Sequence, residues 1–181
     1  VELRRGEIKM NTKSLVTLSL LVGIGAVLHT VVPGFAFGMK PDLMLLMMFL
    51  GIFLLPDLKN ALLIGAVTGI ISGLTTTFPG GQIPNIIDKI LTALIIYAIY
   101  ALVKKFVKPA VASLFLTLIG TLLSGTIFLT SAYLLVGLPG PFLTLAAGAI
   151  LPALVINTVM MVIIYPIAAN ILRRTNVAIT S

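Results

Sequence analysis

Long uncharged apolar runs alternate along this chain with short segments that hold Pro, Gly and charge. Ser14 to Val32 is a run of 19 residues whose one titratable member is His29, near its end. A helix needs about 20 residues to cross bilayer hydrocarbon, so this run predicts a first span. Pro33, Gly34 and Gly38 break it, and Lys40-Pro41-Asp42 opens the next element, with Pro41 at a first helical position. Leu43 to Leu55 is short for a crossing and predicts a helix held among others. After the polar turn Asp57-Leu58-Lys59-Asn60, the run Ala61 to Phe78 is a third span that Pro79-Gly80-Gly81 ends. Its Gly65, Gly69 and Gly73 recur every fourth residue and predict a smooth face that a second helix approaches closely.

Ile90 to Val103 is the fourth span, closed by Lys104, Lys105 and Lys108; a start near Asn85 puts Asp88 and Lys89 about one turn inside it. The fifth run, Pro109 to Leu138, carries Thr117, Thr121 and Gly125 at four-residue spacing. The sixth, Phe142 to Leu172, contains Pro152 and Pro166, predicting a bent helix, and ends at Arg173-Arg174.

Composition agrees with the pattern: 59% of residues are hydrophobic, 9% charged, and mean hydropathy is +1.20. Soluble domains carry about 25% charged residues. The expectation is an all-α integral membrane protein, a compact six-helix transmembrane bundle in one domain from residue 10 to 176. The polar stretch VELRRGEIK ahead of Met10 reads as a leader outside the original start, with Met10 the expected initiator, and residues 177–181 as a short cytoplasmic tail.

The formal charge of +7 sorts by position rather than pointing to nucleic acid. Six crossings put both termini on one side, together with Arg4, Arg5, Lys9, Lys13, Lys59, Lys104, Lys105, Lys108, Arg173 and Arg174. Only Lys40 and Lys89 fall on the other side. The crowded side belongs in the cytoplasm, and without residues 1–9 the imbalance persists.

On the outer side each base adjoins an acid: Lys40 with Asp42, and Asp88 with Lys89. Ionisable groups at membrane depth are costly unless paired or hydrated. Mutual neutralisation at helix ends with snorkelling Lys chains is one account, and a ligand site is the other. Nearby residues favour the second. Gln82 and Asn85 add donors and acceptors, while Phe35, Phe37 and Phe78 add apolar walls. A small ligand with both charges and a flat apolar body would be satisfied there, an aromatic amino acid or equally a vitamin of similar size. His29, near the outer end of the first helix, either contacts or titrates with the substrate or bonds a neighbouring helix. Asn157, mid-way along the sixth, is interhelical glue or a contact for the far end of a ligand. The cluster Met44, Met47, Met48 reads as core filling, because metal transport would want His or Cys alongside.

No cysteine is present, so there is no disulfide or thiolate chemistry. Two midplane aspartates for a protease are missing, no His follows Ser72 to activate it, and no phosphate-binding loop motif occurs. The reading is not an enzyme, without cofactor or metal.

Gly25-Ala26-Val27-Leu28-His29, GMKPDLMLLMMFLGI from Gly38 and IGAVTGIISGLTTTFPGGQIPNIIDK from Ile64 to Lys89 carry a family likeness, joined by IGTLLSG, VGLPG and YPIAANILRR. From Met10 to Asn176 the chain resembles the bacterial tryptophan transporter family, small six-helix proteins related to substrate-binding components of energy-coupling factor vitamin transporters. The resemblance implies uptake of L-tryptophan across a bacterial cytoplasmic membrane, with substrate held near the outer face beneath the loop after the first helix. Those relatives commonly dock a shared partner through an Ala-x-x-x-Ala face on the first helix, where this chain has Ser19-x-x-x-Gly23. A solitary transporter that needs no ATPase partner is therefore preferred over a vitamin-binding component that does; a homo-oligomer stays open, and an intramembrane hydrolase or scaffold is the remaining alternative.

Overall fold

In the computed structural model, residues 11–31 and 42–174 are described, and they form six helices. These are α1 (Thr12–Val31), α2 (Leu43–Leu54), α3 (Leu58–Leu74), α4 (Gln82–Val103), α5 (Pro109–Leu135) and α6 (Phe142–Arg174). No strand occurs among the described residues. α1, α4, α5 and α6 are long and apolar enough to cross a membrane, whereas α2 and α3 are shorter. The exposed surface is itself apolar, with Leu20, Ile70, Leu102, Phe115, Leu143 and Ile171 all turned outward, as a lipid-facing surface requires.

α2 is the centre of the bundle. All 12 of its residues are buried, and it touches each of the other five helices. This is why its composition is apolar on every side rather than along one stripe. Phe49 and Phe53 stack within it, and Tyr100 of α4 leans on Phe53 and donates its hydroxyl to the Phe53 carbonyl at 3.3 Å. Around it, α3 packs on α4 and α5 on α6.

The glycine face of α3 packs as its spacing predicts. A Cβ on Gly65 would lie 2.7 Å from that of Ala93, and one on Gly69 would lie 3.1 Å from the Ile86 Cα and 3.3 Å from the Lys89 Cβ. α4 therefore approaches α3 almost backbone to backbone, at the level where Lys89 leaves its helix.

Several boundaries differ from expectation. α3 starts at Leu58, because the Asp57 carboxylate accepts the Lys59 N–H at 2.8 Å and caps the helix that the polar turn had seemed to precede. α2 starts at Leu43 with Asp42 as its N-cap, the carboxylate accepting the Leu45 N–H at 2.9 Å, and Pro41 lies outside the described residues. α4 begins at Gln82 rather than near Asn85, so Asp88 and Lys89 lie nearly two turns inside it. Pro84 is compatible with this because first-turn N–H groups have no intrahelical acceptor. α5 ends at Leu135 and α6 runs continuously through Pro152 and Pro166. The expected leader, Met10, the loop with Phe35 and Phe37, Lys40, and the tail lie outside the described residues.

Candidate functional site

Successive elements run in alternating directions, so the end of α1, the start of α2, the end of α3, the start of α4, the end of α5 and the start of α6 gather at one end of the bundle. A cavity of about 100 Å³ opens there. At roughly 10–15 Å³ for one water, it has room for several waters or a small organic molecule. Its polar wall is His29, Asp42, Asn85, Asp88 and Lys89; its apolar wall includes Phe78, Phe128, Leu129 and Ile150. Phe78 and Phe128 meet edge to face at 5.3 Å between ring centroids.

Lys89 organises the polar wall. Its ammonium stands 2.6 Å from Asp42 Oδ2 and also bonds Asp88 Oδ2, so one buried cation bridges two carboxylates on different elements. Asp88 accepts two further hydrogen bonds, from Thr92 Oγ1 at 2.9 Å and from Ser124 Oγ at 2.8 Å. Asp42 is held by its capping bond to Leu45. Each carboxylate thus receives several donors, which is what lets charge persist inside an apolar bundle.

His29 is buried at the end of α1, and its Nδ1 lies 2.8 Å from the Thr75 hydroxyl, the C-cap residue of α3. The Thr75 hydroxyl donates to the Ile71 carbonyl at 2.7 Å, so its oxygen is left to accept from the imidazole. Asn85 is buried and donates Nδ2 to the Gly81 carbonyl at 2.7 Å.

Of the residues that the sequence nominates, the cavity gathers His29, Asp42, Phe78, Asn85, Asp88 and Lys89. Gln82 does not join them: it is exposed in the first turn of α4, with its backbone against Gly73. Asn157 is buried one turn deeper than Ala153, which lines the cavity, and donates to Thr121 at 3.3 Å while its own carbonyl oxygen has no partner. Phe37 and Lys40 fall outside the described residues. Asp88 and Lys89 pair as their adjacency in sequence suggests, and Lys89 in addition reaches Asp42 on another element, while Lys40 lies outside the described residues. Thr76 and Thr77 also line the cavity, and Thr121, Ser124 and Phe128 line it without having been nominated. Thr121, Ser124, Gly125 and Phe128 stand at i, i+3, i+4 and i+7, one helical face legible in the sequence.

A helical membrane bundle with a solute-sized cavity, walled by both charges and by aromatic rings at one end, has the make-up of a small-molecule carrier. Comparison with known proteins specifies which kind. The family described as tryptophan transporter TrpP matches residues 11–173, and the chain belongs to that family. A probable tryptophan transport protein of Bacillus subtilis is 56% identical over 167 residues, covering 92% of this chain and 96% of the relative. Proteins of the same description from Clostridium acetobutylicum and Clostridium perfringens are 40% and 36% identical, covering 87% and 93% of this chain and 92% and 98% of their own lengths. No solved structure gives a significant match. The family is one of transport proteins, not of enzymes.

Proposed function

We propose that this protein imports L-tryptophan across the bacterial cytoplasmic membrane, and that the cavity between Asp42, Asp88, Lys89, Phe78 and Phe128 is where the amino acid binds. The observation that carries the reading is the Lys89 bridge. It sets an ammonium and two carboxylates beside an aromatic wall, which matches an α-ammonium, an α-carboxylate and an indole in turn. The ammonium of the substrate replaces or joins Lys89 at a carboxylate. Its carboxylate meets Lys89 or Lys40, the latter two positions ahead of Asp42 in the sequence. The ring lies against Phe78 and Phe128, with the N–H turned toward Thr121 and the unpaired carbonyl of Asn157 behind it.

The orientation follows from charge. Lys13, Lys59, Lys104, Lys105, Lys108, Arg173 and Arg174 stand at the end of the bundle opposite the cavity. That end is cytoplasmic by the bias of basic residues, both termini are inside, and the cavity opens outward.

Proteoliposomes reconstituted with this chain alone test the reading. Saturable uptake of labelled tryptophan, displaced by unlabelled tryptophan and not by biotin or niacin, is expected. Uptake that requires an added ATPase module would favour a partner-dependent binding component instead, and displacement by a vitamin would overturn the substrate.

A further inference from the structure

We propose that the buried faces of α4, α5 and α6 form the solute's route from the cavity to the opposite end of the bundle, closed in this conformation by the Phe49 ring. The inference rests on the tryptophan reading and adds a path to its site. Each of the three helices turns one row of buried side chains inward from the cavity. On α4 the row is Asp88, Thr92, Ile96 and Tyr100. On α5 it is Ser124, Thr121, Thr117 and Ser113, and on α6 it is Ala153, Asn157, Met161 and Tyr165. Steps of three and four residues keep each row on one helix face. Contacts between helices fix how the rows align. Ser124 donates to Asp88 at the cavity, and Asn157 donates to Thr121 about one turn below. Further in, Phe49 and Ile96 close on Gly120. Beyond them Tyr100 meets Phe53, with Tyr165 within electrostatic reach of the Tyr100 hydroxyl.

Small residues on a buried membrane-helix face ordinarily serve close packing or bond a neighbouring helix. Two observations point to a solute instead. Ser113 and Thr117 donate within α5 itself, to the Ala110 carbonyl at 2.9 Å and the Ser113 carbonyl at 2.7 Å, so their hydroxyls tie no neighbour in place. Asn157 is wholly buried and bonded into the α5 row at Thr121, yet its carbonyl oxygen has no partner. An unmet acceptor at that depth is costly, and a passing ammonium or indole N–H would satisfy it. The opposite wall is α2, whose Leu45, Phe49 and Phe53 recur every fourth residue and offer a ring surface. Among the described residues α4 and α6 do not pack on each other, so α5 forms the back of the route and α2 its front.

Phe49 is the plug because of where Gly120 lies. A Cβ on Gly120 would stand 2.5 Å from Phe49 Cζ and 3.1 Å from Ile96 Cδ1, so the ring fills the notch that the missing side chain leaves. That notch separates Thr121, on the cavity wall, from Thr117 about one turn further in.

Single cysteines test the route, since the chain has none of its own. Ser113→Cys and Thr117→Cys lie beyond the ring, whereas Phe115→Cys and Ile119→Cys lie on the outward face of the same helix, where the native residues are 57% and 50% exposed. Inside-out membrane vesicles supplied with tryptophan are treated with a charged, impermeant thiol reagent. The two row positions should react at least about tenfold faster than the two controls, because the thiolate is the reactive form and hydrocarbon suppresses it. The adduct on Thr117→Cys should stop uptake while tryptophan still binds from the outer side, a split that loosened packing alone would not produce. Adding Phe49→Ala should let the same reagent reach Thr117→Cys from the outer side; if that variant does not fold, Phe49→Leu takes its place, and the single-cysteine comparison stands without either. Row positions that react no faster than the controls, or uptake undiminished by the adduct, overturn the route. A folded Phe49 variant that still shields Thr117→Cys from outside overturns the plug. Row positions that react in a chain that neither binds nor carries tryptophan remove the substrate reading and leave the route to another solute.

Discussion

Lys89 on α4 reaches across the bundle to Asp42 at the start of α2, with Nζ 2.6 Å from Oδ2, and this contact ties a cap of the central helix to the interior of another. It serves two purposes at once, holding the cavity's shape and presenting its charges.

Removing the lysine therefore damages the fold more than removing either acid. Lys89→Met leaves two buried carboxylates facing each other, a loss of about 3–5 kcal/mol for an unpartnered buried charge. Asp88→Asn keeps the Lys89–Asp42 pair and should remain folded while binding tryptophan more weakly, by about 1.5–3 kcal/mol, the usual worth of a hydrogen bond to a charged group. Thermal unfolding in detergent, run beside a binding assay, separates the two. Equal melting temperatures for Lys89→Met and wild type would refute the structural role.

The α3–α4 contact gives a second prediction, about volume rather than charge. Gly69→Val pushes a side chain into the Ile86 backbone and the base of Lys89, and overpacking of this kind costs about 1–3 kcal/mol. Gly23→Ala is the control: nothing lies within 4 Å of its added Cβ, so stability should hold or rise by about 0.5–1 kcal/mol from helix propensity. Both are read by the same melting assay, and a destabilised Gly23→Ala beside a neutral Gly69→Val would contradict the packing described.

Much of this arrangement is legible in the amino-acid order, and what is not has definable causes. The apolar runs place all six helices, and the glycine spacing of α3 announces its close neighbour. Asp42, Asp88, Lys89 and His29 stand out because charge or a lone imidazole inside apolar sequence has few explanations. The bridge from Lys89 to Asp42 is hidden, because neighbours in sequence such as Asp88 and Lys89 suggest a local pair, whereas cross-element pairing depends on how helices rotate. Proline misdirects the start of α4: Pro84 reads as loop, but a first helical turn accepts it. Ser124 is a common small residue with no distinguishing mark until Asp88 is found 2.8 Å away.

Topology can be settled by labelling, since the chain contains no native cysteine. Pro79→Cys, exposed in the α3–α4 loop, should react with an impermeant reagent in intact cells. Phe106→Cys, 86% exposed between the lysines that follow α4, should react only after permeabilisation. The reverse pattern would invert the proposed orientation. Gly80 is a poorer choice, because its φ of +70° is strained for any side chain.

Selectivity should divide between the two walls of the cavity. In the proposed site the Asp42–Lys89–Asp88 group reads the substrate's charges, so indole, which lacks them, should bind weakly despite fitting the rings. Phenylalanine keeps the charges but fills less volume and has no N–H to offer, so it should compete poorly, as sites built to pair a polar group reject analogues that lack it. Competition against bound tryptophan measures both, and phenylalanine matching tryptophan would remove the indole from the account.

Transport also requires movement, and α2 limits which movements are available. A 12-residue helix in contact with five neighbours and buried along its whole length has no free side toward which to slide. Its tightly fitted surroundings resist local shifts. A route from one membrane face to the other must then come from the longer helices turning about it, like walls about an axle. Side chains such as Phe49 and Leu46 would act as bearings whose size sets how freely the carrier cycles, although neither lines the cavity.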